Sequence, residues 1–143
     1  MEWLVNELKP FIDAQLRTMP DRRHTFIAGS SMGGLMSLYA VLKHNDVFSR
    51  AACLSPSLWT QPKKMLSLIR TQAVTPDTII YMDYGEKEMN NHTGMRTCYT
   101  AAMKALMDKG VMLTSRIVPG GEHCEASWEK QVPIFMSLLT HKK

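Results

Sequence analysis

The stretch HTFIAGSSMGGLMSLYA, residues 24–40, decides the fold. It passes from an apolar run, Thr25-Phe26-Ile27-Ala28, through the knot Gly29-Ser30-Ser31-Met32-Gly33-Gly34. A segment with Leu35, Leu38, Tyr39 and Leu42 at helical spacing follows and stops at Asn45-Asp46. The order is strand, tight turn, helix. A sharp turn from the carboxyl end of a parallel strand into a helix leaves little room for flanking side chains, and Gly29 and Gly33 flank Ser31. This is the G-x-S-x-G elbow. Its strained turn lifts the serine oxygen clear of the sheet and points the amide of the next residue, Met32, at a developing oxyanion. Gly34 lets the helix pack close. Phosphate cradles fit poorly: a dinucleotide turn needs G-x-G-x-x-G and an acid ending the next strand, which here ends Leu54-Ser55. A Walker loop needs a lysine, which 32–42 lacks.

The same alternation runs along the chain. Residues 1–17 carry Leu4, Leu8, Phe11, Ile12 and Leu16 at helical spacing, with Pro10 starting a new turn or kinking the segment. Residues 50–54 read as a narrow buried strand, and Thr60 and Pro62 open a helix to about residue 70. A β-branched, aromatic strand over 78–82, a polar loop over 85–94 and a helix over 97–109, closed by Gly110, come next. The fourth strand, 113–118, turns at Pro119-Gly120-Gly121 and leads into a last helix over 125–140 that includes Pro133. Apolar strands separated by helices imply a parallel sheet of about four strands with flanking helices. The fold class is α/β, in one domain, 1–143. The twelve methionines read as soft core filling.

Composition excludes several classes of function. No apolar run approaches the roughly 20 residues that cross a bilayer, so no membrane association is expected. The start MEWLVNELKP has neither a positive segment nor a cleavage site, which predicts a cytoplasmic location. Cys53, Cys98 and Cys124 form no CxxC pair and read as free thiols. Cys98, His92 and His123 lack ligand spacing, so neither metal nor cofactor is expected. The net charge of +4 comes from scattered sites without interleaved aromatics, which argues against nucleic acid as a partner.

A serine hydroxyl attacks only when a base takes its proton, and the base belongs at another strand's carboxyl end. His24 precedes its strand, His44 ends a helix, His141 lies in the tail and His92 lies in a loop that could reach the site. His123, in VPGGEHCEASW, follows the fourth strand across two glycines and precedes the last helix, where the base belongs. A carboxylate should follow the third strand to steady the imidazole, and YMDYGEKEMNN offers three. Asp83 reads as still within the strand; Glu86 and Glu88 lie beyond Gly85. The chain order Ser, acid, His is that of α/β-hydrolases. Trp59 either lines an acyl or aromatic pocket or anchors its loop. Ser30, Ser55 and Ser57 read as hydrogen-bonding turn residues, with Ser30 also a candidate substrate contact.

The runs AGSSMGGLMSLYA, VFSRAACLSPSLW, GEKE and VPGGEHCEASWEK together resemble the putative-esterase family of α/β-hydrolases, which includes enterochelin-type siderophore esterases, feruloyl esterases and mycolyl-transferring relatives. The resemblance covers essentially the whole chain but only the carboxyl-terminal half of the family's fold. It implies that Ser31 is the nucleophile, His123 the base and Glu88 the acid, although some siderophore esterases of the group work with a Ser-His pair. It implies a serine esterase acting on a small-molecule ester. A weakly active binding module and an acyltransferase with the same residues are the alternatives. The family's strand order leaves the elbow strand as an open apolar edge, which predicts a homo-oligomer or a partner chain covering it.

Overall fold

The computed structural model describes residues 1–90 and 94–140, so His92 and His141 lie outside the described residues. A single π turn, Leu4–Leu8, runs without a break into helix α1 (Lys9–Gln15), with Pro10 in the first turn after it. Strand β1 (Phe26–Ser30), helix α2 (Met32–Lys43), β2 (Arg50–Leu54), α3 (Pro62–Thr71), β3 (Ile79–Gly85), α4 (Met95–Asp108) and β4 (Met112–Val118) then alternate. The strands form one parallel sheet in the order β1-β2-β3-β4.

Strand alternation sorts the core into two layers. Ala51 and Cys53 of β2 and Ile80, Met82 and Tyr84 of β3 pack on one face with Leu38 and Leu42 of α2, Ile69 of α3 and Leu106 of α4. Ala52, Leu54 and Tyr81 face the other side, where Phe135 and Leu139 cover them. Crossovers of one hand that advance in one direction put α2, α3 and α4 on the same face, so the second layer is left to the end of the chain.

That end departs from expectation. The residues 125–140 form two helices, α5 (Glu125–Glu129) and α6 (Val132–Thr140), instead of one. Pro133 has no N–H, and its ring would strike the carbonyl four residues back, so it sits in the first turn of a new helix. The methionines also divide. Met65, Met82, Met89 and Met95 are buried, whereas Met19, Met32, Met36, Met107, Met112 and Met136 are exposed. Half of the twelve are therefore not core filling.

Strand β3 runs to Gly85 because its last residues pair with Arg116, Ile117 and Val118, so Asp83 lies inside the strand as expected. At the far edge β1 pairs with β2 alone among the described residues, and Ala28 is exposed there. Cys53, Cys98 and Cys124 are free thiols. No helix of the described residues is long and apolar enough to cross a membrane.

Candidate active site

Ser31 links β1 to α2 with φ 55° and ψ −119°, a region costing a non-glycine residue roughly 1–3 kcal/mol. Surrounding backbone holds it there. Its amide donates to the Leu54 carbonyl at 2.9 Å, and its carbonyl accepts from the amides of Leu35 and Ser57, each at 3.1 Å. The crowding expected at both flanking glycines falls elsewhere in part. A Cβ on Gly29 would stand 2.6 Å from the Gly33 carbonyl, and one on Gly34 would stand 2.7 Å from the Leu54 oxygen. Gly33 itself faces open space, because its own side-chain direction points away from β1 and β2.

The Ser31 hydroxyl donates to His123 Nε2 at 2.8 Å. On the other side of the ring, Nδ1 stands 2.6 Å from Glu88 Oε2. An ionised carboxylate only accepts, so the proton sits on Nδ1 and the Nε2 lone pair faces the serine. Glu88 follows β3 in a 3₁₀ turn, Glu86–Asn90, and is 1% exposed. Its second oxygen accepts from the Gly85 amide at 2.8 Å and from the Ser55 hydroxyl at 2.6 Å. The imidazole, about one-third exposed, meets the ring of Trp128 edge-on at 4.9 Å and that of Trp59 at 6.1 Å.

Geometry separates the three carboxylates that share one segment. Glu86 turns its Oε2 to the Gly120 amide at 2.8 Å and ties its turn to the histidine loop. Asp83 is buried and accepts from the Tyr81 hydroxyl at 2.6 Å and the Ser55 amide at 3.3 Å. Burial pushes its carboxyl above the usual range, against the pull of those donors and of Arg116. Only Glu88 meets His123. The turn and the loop touch through glycine: a Cβ on Gly85 would stand 2.4 Å from the Gly121 carbonyl. The Lys87 amide donates to that same oxygen at 3.1 Å.

The remaining candidates fall at varied distances from this line. Met32 is the first residue of α2, where a helix amide has no partner within the helix, and its side chain is exposed. Ser30 ends β1 beside Ser31, half-buried. Trp59 lies in a 3₁₀ turn, Leu58–Thr60, half-buried against His123. His24 bonds Asp21 at 2.7 Å in the turn that precedes β1, and His44 caps α2 with Nε2 3.6 Å from Glu2, so neither joins the serine. Two buried serines were undervalued as turn residues: Ser57, whose Oγ is 3.3 Å from Ser31 Oγ, and Ser55, which touches Glu88. Their signal in the sequence was their place just after β2, the strand that pairs with the elbow strand.

The family model described as "Putative esterase" matches residues 1–135. The chain belongs to this esterase family. Among solved structures similar to this esterase-family chain, a ferulic acid esterase superposes with a TM-score of 0.79 at 17% identity, over 97% of this chain and 60% of its own. The enterobactin esterase FES from Shigella flexneri gives 0.79 at 22% identity, over 96% and 36%. An S-formylglutathione hydrolase from Agrobacterium tumefaciens gives 0.79 at 19% identity, over 96% and 55%. At these identities the likeness is one of fold, an α/β-hydrolase sheet with flanking helices. The "Uncharacterized protein YbbA" of Bacillus subtilis (strain 168) is 26% identical over 86 residues, 59% of this chain and 34% of that protein. The esterase-family chain thus spans between 34% and 60% of the length of these relatives.

Proposed function

We propose that this esterase-family chain is a serine carboxylester hydrolase that works through an acyl-enzyme on a small-molecule ester. The observation that supports this best is the unbroken hydrogen-bonded line from Ser31 through His123 to Glu88, with the proton on the Glu88 side of the ring. Ser31 Oγ attacks the ester carbonyl as its proton passes to His123 Nε2. The imidazolium, steadied by the Glu88 carboxylate, then delivers that proton to the departing alcohol. The Met32 amide, at the positive end of α2, receives the oxyanion. Water repeats the cycle and releases the acid. Trp59, against His123, and Ser30, next to Ser31, contact the substrate. We also propose that the bare edge of β1 is covered in the working protein, by a second copy or by a partner chain, because it is an apolar strand without lysine or proline to discourage pairing.

A fluorophosphonate probe tests the chemistry, since only a serine beside a base and an oxyanion donor is activated. Peptide mapping should place a single adduct on Ser31, lost in His123→Ala and reduced more by Glu88→Gln than by Glu86→Gln. An adduct on Ser30, Ser55 or Ser57, or equal labelling of denatured protein, overturns the assignment.

A further inference from the structure

We propose that Ser55 is a positioning residue for Glu88 and that Trp128 sets the direction of its hydroxyl; the proposal rests on the reading of Ser31, His123 and Glu88 given above. Among the described residues two that are not glycine have positive φ, Ser31 at 55° and Ser55 at 41°. They stand at the carboxyl ends of β1 and β2, neighbouring strands of the sheet. A serine held in that region is strained, and its surroundings must hold it. For Ser55 these are the Asp83 carbonyl and carboxylate, which accept its amide at 3.0 and 3.3 Å.

Its side chain is buried, and Oγ lies 3.0 Å from Trp128 Nε1 and 2.6 Å from Glu88 Oε1. An indole N–H only donates and an ionised carboxylate only accepts, so the direction of both bonds is determined: Trp128 donates to Ser55, and Ser55 donates to Glu88. Glu88 Oε1 then holds two donors, Ser55 Oγ–H and the Gly85 amide. That matters because the terminal torsion of a glutamate is broad and roughly two-fold, so one donor leaves the carboxylate plane free to turn. Two donors on one oxygen hold the plane and present the other oxygen to His123 Nδ1. Trp128 also meets the imidazole edge-on at 4.9 Å, so one indole limits the histidine's tilt and orients the hydroxyl behind its acid.

The test compares Ser55→Ala, Ser55→Gly and Trp128→Phe with the parent protein. Glycine adopts positive φ without strain, so Ser55→Gly removes the hydroxyl while easing the backbone and should melt no lower than Ser55→Ala. Both should lower kcat on p-nitrophenyl acetate by about 10- to 100-fold with KM within about twofold, the pattern of an interaction that acts in the transition state. Trp128→Phe keeps an aromatic edge on His123 but frees the Ser55 hydroxyl to rotate, so its loss should be smaller. The far-downfield proton resonance of His123 Nδ1–H should broaden or move upfield in both Ser55 variants. A Ser55→Gly protein with parental kcat, or a loss seen only as a lower melting temperature, overturns the positioning role. Should the parent protein fail to react with a fluorophosphonate at Ser31, the esterase reading falls. The resonance still judges Ser55, and its persistence unchanged in Ser55→Ala would refute the proposal on its own.

Discussion

Replacing Gly85 by alanine should prise the turn that carries Glu88 away from the loop that carries His123. The new Cβ would stand 2.4 Å from the Gly121 carbonyl carbon and oxygen and 2.9 Å from the Glu122 nitrogen. Those obstacles are backbone, with no flexible side chain to swing aside. Restoring ordinary contact requires the two segments to part by about 1 Å in an interior packed as densely as a crystal. The Glu88–His123 bond, now 2.6 Å, would then open to about 3.6 Å, beyond hydrogen-bonding range. The Lys87 amide would leave the Gly121 oxygen, now at 3.1 Å. A misplacement of this size costs about 100-fold in turnover, rising toward about 10,000-fold if the imidazole loses its tautomer. Overpacking should also lower stability by about 1–3 kcal/mol. Turnover of p-nitrophenyl acetate and the urea midpoint measure the two effects separately. Gly121→Ala, whose Cβ would meet the Gly85 Cα at 2.8 Å, should behave alike. Either variant, folded and with kcat within twofold of the parent, would refute the claim that the glycine contact sets the register between Glu88 and His123.

The elbow glycines should differ under thermal melting: Gly33→Ala, in open space on a helix, should gain about 0.5–1 kcal/mol, whereas Gly34→Ala, 2.7 Å from the Leu54 oxygen, should lose about 1–3 kcal/mol. The reverse order would contradict the geometry. Burial raises the Asp83 carboxyl, so the native state holds that proton more tightly than the unfolded chain does. Stability therefore falls as pH rises from the ordinary carboxyl range through the raised native value, and stays depressed above it. Asp83→Asn should raise the melting temperature more at about pH 7 than at about pH 3.5, and an equal change at both would exclude this origin. For the open β1 edge, light scattering at micromolar concentration should report a species heavier than 16.2 kDa, and a stable monomer would overturn the covering proposal.

The sequence by itself determined the elements whose causes are local. Apolar runs broken by glycine, and helical spacing after them, mark four parallel strands with helices between. The G-x-S-x-G turn then places Ser31 at a strand's end because few other residues tolerate that approach of backbone to backbone. His123 was legible for a related reason: topology leaves one histidine after the last strand and before the last helix. Local signals failed where the outcome depended on distant packing. The exposed methionines of α2, α4 and α6 turned on which helical positions met the sheet, whereas the break near Pro133 is the local effect of its missing N–H. Glu88 could be singled out only by resemblance, since Asp83, Glu86 and Glu88 carry the same chemistry in one segment. Tertiary structure separates them by burying one in β3, tying one to the Gly120 amide and turning the third toward a histidine 35 residues away. Ser55 and Trp128, 73 residues apart, meet for the same reason. A hydroxyl's partners are set by strand register and by the packing of the last helices on the sheet, and neither is written in the residues beside it.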